Sequence, residues 1–201
     1  VTLLDPLVVA RAEVLKVEFL TSVRPEPDPR VTEYWERYRE VFAGGGDAQD
    51  LKDFANSPVG GSPGNMSVFN QAWNELGAEA AAAAVRESVN YLLSGPGVLE
   101  ERLTELIRGR RGLNGFREAL LTKVLCVMYP DRFLTLLKYA GRLGKQGIAQ
   151  QLWQLDLPDS TPSTIGERIV ESNDLLLELA GEGFGTAQHA SSFLWWARDQ
   201  V

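Results

Sequence analysis

Along nearly the whole chain, apolar residues recur every three or four positions, and no stretch alternates convincingly with a period of two. That spacing predicts helices and no sheet. The first helix opens at Asp5-Pro6, an N-cap followed by the residue best tolerated at the first helical position. Its pattern of Leu7, Arg11, Val14, Leu15 and Glu18 runs to about Val23, where RPEPDP stops it. A second helix over 29–42 sets Val31, Tyr34, Trp35, Tyr38 and Phe42 on one stripe, which reads as core, and the glycines at 44–46 end it. Residues 56–65 (NSPVGGSPGN) form a linker that marks a soft boundary between an N-terminal helical arm, 1–56, and a main helical domain, 66–201, on which the arm packs as one compact unit.

Beyond the linker the pattern predicts helices over 67–76 (Phe69, Trp73, Leu76), over the alanine-rich 78–93, and over 98–107. The turn Gly109-Arg110-Arg111-Gly112 follows, then an apolar helix capped by Asn114 and halted at Tyr129-Pro130. A short helix from Asp131 to Tyr139, another over 141–154, one from Thr161 or Pro162 to Ala180, and a last one over 186–200 complete the chain. The expected fold is all-α, a multi-helix orthogonal bundle of about nine or ten helices.

Charge changes this bland picture. The 201 residues carry a net charge of −7, yet ten Lys/Arg between Arg102 and Lys145 face only Glu105, Glu118 and Asp131. A belt of Arg108, Arg110, Arg111, Arg117, Lys138, Arg142 and Lys145 is therefore the candidate nucleic-acid-binding set, and its binding would weaken steeply with salt. The paired arginines of the 109–112 turn could grip phosphate through guanidinium forks. Set against this is the acidic chain as a whole, with Glu105 and Glu118 at helical spacing from Arg102, Arg117 and Lys123. The alternative is a protein-interaction module in which Trp195 and Trp196, about 100° apart on a helix, divide between core and partner.

Catalytic chemistry is poorly supplied. One His and one Cys leave no metal-ligand motif, and neither a metal nor a cofactor is expected. His189 stands beside Ser191 and Ser192, but no nucleophile elbow accompanies it. The glycines at 44–46 lack a following Lys-Ser/Thr, and the glycine-rich stretch 181–185 carries an acid where phosphate would sit. Glu167, Glu171, Asp174 and Glu178 read as a solvated helix face; an unrecognised carboxylate site is the third and weakest reading. Lone Cys126, within an apolar run, cannot form an internal disulfide and reads as a buried thiol. No apolar stretch approaches the roughly 20 residues that span a bilayer. A cytoplasmic location without a membrane partner is expected. Starting at Val1 and ending just behind an apolar aromatic segment, the chain reads as a piece of a longer protein.

The stretch LNGFREALLTKVLCVMYPDRFLTLLKY (113–139), with Phe193-Leu194-Trp195-Trp196 near the end, resembles the helical region ahead of the AAA+ motor in McrB-like, modification-dependent restriction proteins. The resemblance covers about residues 70–200 and rests on fold-forming apolar positions. It implies an anti-phage defence setting, in which a non-catalytic accessory module selects a DNA target or a partner. An attached NTPase, whose motifs this chain lacks, would then drive translocation or recruit a nuclease. DNA and an AAA+ motor domain or defence-system subunit are thus the partners expected, with DNA contact through the belt the first reading.

Overall fold

A computed structural model describes residues 4–109, 111–159 and 163–201, and among them the regular secondary structure is helical, without strands. The ten helices are α1 (Pro6–Glu18), α2 (Pro29–Glu40), α3 (Ala48–Asn56), α4 (Ser67–Leu76), α5 (Ala78–Ser94), α6 (Leu99–Arg108), α7 (Glu118–Met128), α8 (Lys145–Trp153), α9 (Ile165–Ala180) and α10 (Ala187–Arg198). Wider π-helical turns, Phe19–Val23 and Val41–Gly45, close α1 and α2. None of the helices is long and apolar enough to cross a membrane.

The helix starts follow local chemistry. Asp5 and Asp28 accept from the backbone N–H of Leu7 at 2.8 Å and of Arg30 at 3.0 Å, each ahead of a proline at the first position. Thr186 caps α10 by accepting from His189 N at 3.1 Å. Helix α3, absent from the periodicity reading, opens on a reciprocal box in which Asp47 and Asp50 each accept from the other's backbone N–H, at 2.9 and 3.1 Å.

Two buried clusters fill the interior. The first joins α2 through α7 with Ile169 and Val170 of α9; the second joins α1, α8, α10 and the Leu176 to Ala180 end of α9. The N-terminal 56 residues are divided between them, α1 in the second cluster and α2 with α3 in the first.

The segment 131–144, expected to hold a short helix, is a chain of turns running between the clusters. Phe133 and Leu137 enter the first cluster, Leu134 and Leu136 the second. A strip buried on both sides needs outside partners for its backbone, and side chains supply them. Asn173 accepts from Leu134 N at 2.9 Å and donates to Arg132 O at 2.8 Å, Ser191 accepts from Thr135 N at 2.8 Å, and Glu118 accepts from Tyr139 N at 2.5 Å. Other boundaries move less. Helix α7 starts at Glu118 rather than at Asn114, α8 at Lys145 rather than at Gly141, and α9 at Ile165, while the proposed starts Thr161 and Pro162 lie outside the described residues. Of the three apolar residues that mark α4 in the sequence, Phe69 and Trp73 are buried and Leu76 is 51% exposed.

Candidate functional site

The residues of the basic belt differ in burial and in the partners they meet. Arg108 is exposed in the last turn of α6, and Arg110 lies outside the described residues. Arg111 is covered by acids from α5 and α6: its guanidinium lies 3.7 Å from Glu105, 4.0 Å from Glu87, and 4.2 Å from the centre of the Tyr91 ring. Arg117 turns inward on its own loop, donating to Arg111 O at 3.0 Å and Phe116 O at 3.3 Å, and burial lowers its pKa. Lys138 and Arg142 are exposed, on the wall of a separate cleft that Arg108, Arg111 and Arg117 do not line.

Lys145 corrects the belt most sharply. It is 0% exposed, its ammonium has no hydrogen-bond partner among the described residues, and burial pulls its pKa down to about 8. A group so enclosed meets no surface phosphate. Lys123 is buried too, but it has a structural task. Its Nζ donates to Phe54 O at 3.1 Å and Ser57 O at 2.5 Å, lies 5.1 Å from the ring centres of Tyr34 and Phe54, and is brought by burial to a pKa of about 7. It ties the end of α3 to α7.

The two tryptophans diverge as their spacing requires. Trp196 packs on Phe19, ring centres 5.7 Å apart, while Trp195 lines the cleft with the Arg198 guanidinium 4.7 Å from its ring centre. Both are partly buried against the second cluster.

Of the residues considered for catalysis, Glu171 and Glu178 stand exposed and the others are occupied structurally. His189, fully buried, accepts from Gly185 N through Nδ1 at 3.3 Å, which leaves Nε2 to donate to Arg24 O at 2.8 Å. Ser191 holds Thr135 N and donates to Ala187 O at 2.9 Å. Glu167 caps α9 through Thr164, and Asp174 pairs with Arg132 at 3.0 Å. The Cys126 thiol is enclosed, 3.4 Å from Leu134 O, and burial pushes its pKa up to about 12, so it stays protonated and inert. Among the described residues no group of three or more His, Cys, Asp or Glu is placed to hold a metal.

Two features stand out among the described residues. One is a cleft of about 820 Å³ between the 58–64 loop, the 138–144 turns and α10. The other is α1, which is apolar on two opposite faces. Val8, Ala12, Leu15 and Phe19 pack into the second cluster, whereas Leu7 (79% exposed), Ala10, Val14 (67%) and Val17 (61%) face out. The outward residues are spaced three, four and three apart, the spacing of a seam that pairs with another helix. Periodicity had placed Leu7 and Val14 with Leu15 on one pattern; the structure separates them. Comparison with protein-family models, curated proteins and solved structures finds no match to this chain.

Proposed function

We propose that this chain is a non-catalytic helical interaction module, and that the outward seam of α1 docks an apolar-faced helix of an NTPase-bearing partner. The observation that carries this reading is the second apolar face of α1. A helix with one face already in the core has no need of Leu7, Val14 and Val17 in water. The three-four spacing favours a helix as the occupant. The NTPase partner and the defence setting rest on the likeness of residues 113–139 to the region ahead of the motor in McrB-like restriction proteins.

DNA contact through the belt loses support because Arg111 faces Glu87 and Glu105, Arg117 is engaged by its own loop, and Lys145 is enclosed. The two readings separate in a titration of labelled duplex, plain and base-modified, at about 50 and about 200 mM salt. The interaction reading predicts no duplex binding that Arg108→Glu/Arg111→Glu alters. Steeply salt-dependent binding that this double variant removes would overturn it in favour of a polyanion surface.

A further inference from the structure

The cleft beside α10 is a second surface, independent of the α1 seam. Its volume of about 820 Å³ falls within the roughly 300–1,000 Å³ of small-molecule sites. That size admits a compact ligand and not a duplex. Its lining combines exposed cations with an indole and a buried amide.

Its lining includes Lys138 and Arg142, both exposed and, among the described residues, in no ion pair. Arg30 also lines it, paired at 2.7 Å with Asp28, the one acid among the described lining residues. Asp28 is already committed twice, to that guanidinium and to the cap of α2, so the unspent charge of the lining is positive. The glycine-rich loop lies beside Lys138, whose ammonium is 3.8 Å from where a side chain on Gly64 would begin. Gly60, Gly61 and Gly64 all have positive φ, a backbone that leaves this wall without side chains at those positions.

Helix α10 contributes Trp195, Ser192 and Gln188 to the lining. Gln188 is 8% exposed, and while its Nε2 donates to Ser192 Oγ at 2.9 Å, its amide oxygen has no partner among the described residues. A buried acceptor without a donor costs free energy that a ligand N–H would recover. Beside it the indole offers a flat apolar surface. A ligand that matches this lining carries an anion and a planar group with N–H donors.

We propose that this cleft binds a mononucleotide. Its phosphate sits between Lys138 and Arg142, and its base lies against Trp195 with an N–H directed at the Gln188 oxygen. Arginine and lysine supply the charge-assisted bonds that phosphate accepts, and the amide and indole of α10 give the base its share of the affinity.

Calorimetric titration of the chain with the four ribonucleoside monophosphates, inorganic phosphate and adenosine tests this. The proposal requires at least one monophosphate to bind tenfold or more tightly than both phosphate and adenosine. Lys138→Ala/Arg142→Ala should weaken that binding at least tenfold without moving the unfolding temperature, because both side chains are exposed. Gln188→Met should weaken the nucleotide and leave phosphate unaffected. Monophosphates that bind no better than phosphate, or a double variant that binds as the parent does, would overturn the assignment. Neither result bears on the α1 seam.

Discussion

Replacing Lys145 with methionine is expected to raise the unfolding temperature by roughly 5–10 °C. The ammonium is fully enclosed at the first position of α8, where the positive end of the helix dipole already disfavours a cation. Nothing among the described residues accepts a hydrogen bond from it. Burial takes the pKa from 10.5 to about 8, outweighing Glu118 and Asp174, which favour the charge. That difference corresponds to on the order of 3 kcal/mol, which methionine, with a similar stem and no charge, would recover. The pH dependence has a definite sign. Between about 8 and 10.5 the unfolded chain holds more protons at this residue than the folded one, so its penalty is complete below about 8 and fades as pH rises towards 10.5. The stability gap between variant and parent should therefore shrink between pH 7 and pH 9.5. Comparing the two proteins isolates Lys145, since Lys123 and the tyrosines titrate in both. A variant less stable than the parent at pH 7 would show that the ammonium holds the fold together.

A change of similar size and opposite sign is expected at Gly166, where α9 crosses α6. Its N–H donates to Thr104 Oγ1 at 3.0 Å, and that hydroxyl donates to Glu100 O at 2.8 Å. A Cβ at Gly166 would overlap the Glu100 carbonyl oxygen and stand 2.7 Å from both the Glu100 carbonyl carbon and Thr104 Oγ1. Two of these three obstacles are backbone, so the strain is relieved only if α6 and α9 part, and Leu103, Leu106, Ile169 and Val170 lie in the cluster they share. Gly166→Ala should cost about 2–3 kcal/mol in urea unfolding. A loss below about 0.5 kcal/mol would contradict the close approach of the two helices.

The helices whose signals are local were legible in the sequence, and the features that depend on distant partners were not. Asp5-Pro6, Asp28-Pro29 and Thr186 each mark a helix start that the structure contains. Asp47 and Asp50 carried an equally local signal for α3, overshadowed by the glycines before it and the linker after it. The run from Phe133 to Leu137 has no period to read, because its sides belong to different clusters and its backbone is satisfied by Glu118, Asn173 and Ser191. Counting charge treated every lysine alike. Lys123, set between Thr122 and Val124 in an apolar run, hinted at burial; Lys145 followed a glycine and gave no hint. The walls of the cleft lie near positions 30, 60, 140 and 190, a convergence that only the folded chain reveals.

The most direct test of the account is a photo-crosslinking residue placed at Val14 in the protein expressed in its native cells, with the same residue at exposed Glu36 as control. The account predicts one dominant product from Val14 and not from Glu36, joining this chain to a protein with an NTPase motor, and lost when Leu7→Asp/Val17→Asp disrupts the seam. Identical products from both positions, a partner without an NTPase motor, or no product from Val14 would contradict it.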